Sequence, residues 1–175
     1  MSTNWRISSI NGALLAAYFI PTWTVVAFRI MTSPIHGLYE QPNVSVALFV
    51  NDHLHLAAAT TVRLAWLLVL GRLTVVAFFA VFLIFTTRAS IRKTGGGDEA
   101  LVMALVIGGA ISFASMVMAS QVGEAGALRL HATELLMLLG TAILLVVEPP
   151  ALSPIDRSAM AQDLPLQQPQ LLDNR

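Results

Sequence analysis

The chain has 175 residues, of which 56% are apolar and only 11% charged; a soluble domain carries about a quarter charged residues, so an ordinary water-soluble globule is excluded. Ten Lys plus Arg cancel ten Asp plus Glu to a formal net charge of zero, leaving no basic excess to grip a nucleic-acid backbone. Cysteine is absent, which removes disulfides, thiolate metal ligation, cysteine nucleophiles and thiol redox chemistry.

The apolar residues come in long blocks, and a hydrocarbon layer of about 30 Å is crossed by roughly 20 helical residues. The first such block runs from about Ile10 to Met31. It is too long for the apolar core of a signal peptide and reads as a retained helix. Pro21 removes a donor at its middle and predicts a kink, with Thr22 and Thr24 available to freed carbonyls. The loop 32–56 follows, with His36, Glu40, Pro42, His53 and His55 around an apolar run from Val44 to Val50. That run is too short to span and too apolar for water, so it lies at the interface, re-enters shallowly or covers the bundle.

The second crossing runs from about Ala57 to Thr86 and carries Arg63 and Arg72. A turn with Arg88, Arg92, Lys93 and Gly95 to Gly97 leads to the third crossing, about Ala100 to Ser120, and the fourth covers about Ala127 to Val147. Lipid-exposed strands would leave backbone groups unpaired, so the expected fold is all-α: an integral membrane four-helix bundle over residues 1–148. The basic residues Arg6, Arg88, Arg92 and Lys93 put both termini in the cytoplasm of a bacterial-type inner (plasma) membrane. Residues 149–175, rich in Pro and Gln, predict a disordered tail.

Under this topology all four histidines fall on the outer side. His131 and Glu134, three residues apart on the fourth helix, share a face and are candidate metal ligands, with His53 and His55 as further candidates. Haem b or a divalent metal is the cofactor such a set would hold. Charge at the bilayer centre costs at least ~2.5 kcal/mol, so Arg72 should face the bundle interior or a partner protein. A stripe of His53, Thr60, Arg63, Gly71 and Thr74 predicts an inward face on the second helix, and Arg63 with Glu134 a structural ion pair. On the third helix Ala104, Gly108, Ser112, Ser115 and Ala119 form a small-residue face for close helix packing.

These features point first to a non-enzymatic accessory or assembly subunit of a larger membrane complex, in contact with the lipid bilayer and with other membrane subunits or a second copy. A haem- or metal-binding redox protein using the outer-side histidines is the alternative. A small transporter or channel lined by Thr60, Arg63, Thr74 and Glu134 is a third reading.

Overall fold

The computed structural model describes residues 6–88 and 97–148. Within them the chain is helical, in the order α1 (Ile7–Thr32), α2 (Pro34–Tyr39), α3 (Val44–Phe49), a π-helical turn (Val50–Leu54), α4 (Ala58–Thr87), α5 (Asp98–Val122) and α6 (Ala125–Val147). The expected tail at 149–175, and Arg92, Lys93, Gly95 and Gly96 of the basic turn, lie outside the described residues.

The four long helices α1, α4, α5 and α6 are each long and apolar enough to cross a membrane. They pack as a bundle in which α5 lies against both α4 and α6, and α1 against α4. Most of the apolar surface points outward, as with Leu67, Leu136 and Val146. Such an exterior suits lipid, and among lipid tails helices associate through close packing and hydrogen bonds rather than through the hydrophobic effect.

Close packing is achieved by small residues and rings. Ala104, Gly108, Ser112, Ser115 and Ala119 are all buried on α5, and a Cβ on Gly108 would touch Val75 of α4 and Leu138 of α6. This face is therefore occupied within the chain. On α4 the buried residues are Ala65, Val69, Arg72, Val75, Phe79, Phe82 and Thr86, at steps of three or four that define one helical face. Phe79 stacks on Phe19 of α1. Pro21 lies inside α1, and Thr22 Oγ1 donates to Tyr18 O at 2.6 Å.

Between α1 and α4 the chain folds back onto the bundle. Gly37 of α2 sits so close to α1 that a Cβ there would approach the backbone of Ile30 to 2.7 Å. Leu38, Ser45, Val46, Ala47 and Val50 are buried, and α3 packs on α5. Asn43 Nδ2 donates to Gly37 O at 2.8 Å, joining α2 to the start of α3. The segment from α2 through α3, with Gln41 and Pro42 between them, is thus a cover inserted between the helices.

At the opposite end a polar clasp joins α1, α5 and α6. The Glu148 carboxylate accepts the N–H groups of Ile7 (3.1 Å) and Ser8 (3.0 Å), which the first helical turn leaves without partners. Arg6 donates to Asp98 at 2.6 Å and lies 3.6 Å from Glu148. Burial works against ionisation of Glu148, but the hydrogen bonds from Ser8 and Ile7 and the charge of Arg6 outweigh it and hold the carboxyl below its ordinary range. A depressed folded value means stability that is present above the unfolded pKa and lost as pH falls through the folded one. Glu148→Gln is expected to lower stability at neutral pH by about 0.3–1 kcal/mol, the worth of an anion at a helix N-terminus. The gap to the unsubstituted protein should close as unfolding is repeated at acid pH; a gap independent of pH would contradict this account.

Candidate ligand-binding site

A group of polar side chains is buried among the helices, contributed by four of them and by the inserted cover. Glu134 of α6 is its hub. Trp23 Nε1 of α1 donates to Glu134 Oε1 at 3.0 Å, and Ser112 Oγ of α5 donates to Oε2 at 3.3 Å. His131, one turn earlier on α6, places Nδ1 at 3.0 Å from Oε2. The other ring nitrogen, Nε2, faces Pro42 O of the cover at 3.1 Å. His131 and Glu134 are both buried.

Arg72 of α4 completes the group. It is 2% exposed, and its guanidinium lies over the Trp23 ring, 5.4 Å from the centroid. Nη2 reaches Pro42 O only at 3.5 Å, the outer limit of a hydrogen bond. Nε and Nη1 are buried without a partner. A desolvated cation–π contact contributes about 2 kcal/mol, whereas charge at the centre of a bilayer costs at least ~2.5 kcal/mol. Two empty donors add to that cost, so Arg72 is under-satisfied within the protein.

Trp23, Pro42, Arg72, His131 and Glu134 line a cavity of about 440 Å³, shared with Pro21, Val26 and Leu130. A second cavity of about 570 Å³ shares Arg29, Glu40, Pro42 and Leu130 with it and continues to Gln41 and Gly126. At their junction Arg29 Nη1 donates to Glu40 Oε2 at 2.9 Å. The interior group therefore connects along the α1–α6 side with the end of the bundle that carries the cover. The size falls within the ~300–1,000 Å³ typical of small-molecule sites, which pair apolar walls with a few converging polar groups.

The placement of the sequence-predicted residues differs from expectation in three respects. Arg63 is exposed and Glu134 is engaged elsewhere, so the Arg63–Glu134 ion pair does not form. At about 100° per residue, nine residues put Arg72 on the side of α4 opposite Arg63, and the inward side is that of Arg72. Of the expected stripe, His53, Thr60 and Arg63 are exposed, whereas Gly71 and Thr74 are half-buried, Gly71 against Ile111 of α5. His53 and His55 are exposed: His53 stacks on Phe49 in the π-helical turn, and His55 has a left-handed backbone with φ 46°. They do not join His131 and Glu134, and among the described residues no group of three His, Asp or Glu is arranged to hold a metal ion.

Trp23 and the carbonyl of Pro42 are the members that sequence reasoning missed. A tryptophan inside a crossing carries an N–H that needs an acceptor when buried, and that was the available signal for Trp23. Comparison with protein families, characterised proteins and solved structures finds no match to this chain, so the chemistry of the site rests on its own geometry. That geometry offers two guanidinium nitrogens of Arg72 without a partner, a buried carboxyl–imidazole pair and an apolar wall.

Proposed function

We propose that this multi-pass membrane protein binds a small lipophilic molecule in its bundle, with the polar head of that molecule hydrogen bonded to Arg72. One observation carries the reading: Arg72, buried in the wall of a cavity of about 440 Å³, keeps Nε and Nη1 without a protein partner. The basic residues near Arg6 and Arg88 favour a cytoplasmic location for both termini in an inner (plasma) membrane, which would open the site from the outer side. A role as accessory or assembly subunit has less support, because the small-residue face of α5 packs within the chain and Arg72 turns inward. A pore lined by Thr60, Arg63, Thr74 and Glu134 lacks its Arg63, which is exposed. A haem or metal centre lacks converging histidines among the described residues.

An under-satisfied buried charge costs stability, and replacing such a group by an apolar one of similar volume is often neutral or stabilising by about 1–4 kcal/mol. Arg72→Met is therefore expected to keep or raise the unfolding midpoint while abolishing ligand binding, the usual conflict between stability and function at a site. Native mass spectrometry of both proteins from mild detergent reads the second half of this statement. A variant that loses several kcal/mol of stability and still carries the same bound molecules would assign Arg72 to structure instead.

A further inference from the structure

The two nitrogens of His131 fix the charge of the site. Nδ1 faces the Glu134 carboxyl at 3.0 Å and Nε2 faces the Pro42 carbonyl at 3.1 Å. A neutral imidazole has one N–H, and a carboxylate and a carbonyl are both acceptors. Satisfying both contacts takes one proton more than a neutral imidazole and a carboxylate contain. With both contacts made as hydrogen bonds, the pair holds that proton, on Nδ1 or on Glu134, and is neutral as a whole.

Arg72 then stands without an ion-pair partner, its charge meeting that of Glu134 only through space. Glu134 is already committed to His131, Trp23 and Ser112, and Arg29 and Glu40 at the rim neutralise each other at 2.9 Å. The remaining titratable group lining the cavity is Tyr18, an uncharged phenol. The lining thus carries a net charge of plus one, buried in the apolar part of a membrane protein. An isolated buried charge is costly, and a charge-assisted hydrogen bond is the strongest way to offset it.

Resting on the ligand-binding reading above, we infer that the cavity takes a lipophilic monoanion, with an oxyanion head such as a carboxylate on the free N–H groups of Arg72 and an apolar body against Pro21, Val26 and Leu130. A neutral head leaves the site charged. A cationic head doubles the charge. A dianion reverses it.

The test is binding of three probes of one chain length, decanoate, decanol and decyltrimethylammonium, to the full chain in nanodiscs of zwitterionic lipid. Trp23 fluorescence is the readout, in a background with Trp5→Phe and Trp66→Phe. Decanoate is expected to bind more tightly than decanol by about tenfold or more, the worth of hydrogen bonding to a charged group, and decyltrimethylammonium not to bind. The preference for decanoate should disappear in Arg72→Met and persist, weakened, in Arg72→Lys. Equal binding of decanoate and decanol overturns the inference and leaves the ligand-binding reading standing, whereas no response to any probe overturns both. The probe series on the unsubstituted protein decides the matter even if a variant does not fold. Nanodiscs containing phosphatidylglycerol distinguish the sources of a monoanion: competition with decanoate identifies an acidic phospholipid head, and its absence a free acid, either being a monoanion as inferred.

Discussion

Glu134→Ala is expected to destabilise the bundle by about 3–5 kcal/mol, the cost of removing one partner from a buried charged pair. Hydrogen bonds between membrane helices average only ~0.6 kcal/mol each. The carboxylate accepts from Trp23 and Ser112 and pairs with His131, so its contacts counted as neutral bonds would come to about 2 kcal/mol. The larger expectation comes from the charge left behind: His131 loses its partner and Arg72 its nearby carboxylate, in a medium that solvates neither. Glu134→Gln separates the two contributions, because the amide keeps an acceptor oxygen and discards the charge. Unfolding in mixed micelles, followed by circular dichroism, should place Gln between Ala and the unsubstituted protein. A Glu134→Ala loss of less than about 1 kcal/mol would mean that the acid is not the hub of the site.

The second large effect is expected at Gly37. A Cβ there would come within 2.7 Å of Ile30 Cα and 2.8 Å of Ile30 N, and backbone cannot rotate away as a side chain can. Gly37→Ala must therefore push α2 off α1, at a cost of about 1–3 kcal/mol for overpacking. The displacement carries Asn43, bonded to Gly37 O, and with it the Pro42 carbonyl that faces His131 and Arg72. Because the chain has no cysteine, Gln41→Cys provides a single reactive thiol on the cover. A membrane-impermeant maleimide should label it faster in the Gly37→Ala background, and ligand binding should weaken in parallel. Unchanged labelling would show that the cover does not depend on this close approach.

The spans were legible to within a few residues, as with α6, expected over about Ala127 to Val147 and observed over Ala125–Val147. Hydropathy reports the solvent directly, and lipid imposes long apolar runs. Which face of a span turns inward was less legible. In water the apolar face of a helix is the buried one; in lipid both faces are apolar and only a few polar residues mark the interior. On α4 both Arg63 and Arg72 are polar marks on an apolar helix, and the depth of Arg72 in the span, against the exposed position of Arg63 near its start, distinguishes the inward side. Side of membrane alone associates His53 and His55 with the fourth helix. Their positions depend on the π-helical turn at Val50–Leu54, which has no periodic signature. The Pro42 carbonyl is a backbone atom that every residue possesses, so no residue type announces it.

The site draws Trp23, Pro42 and Arg72 from the first half of the chain and Ser112, His131 and Glu134 from the second. Synthesis runs from the N-terminus, so α1 and α4 reach the bilayer while the acid that accepts from Trp23 has yet to be translated. An early intermediate must therefore shelter a bare guanidinium in lipid, with its indole neighbour as company, until the last helix arrives. Assembly of the molecule and completion of its pocket are consequently the same event.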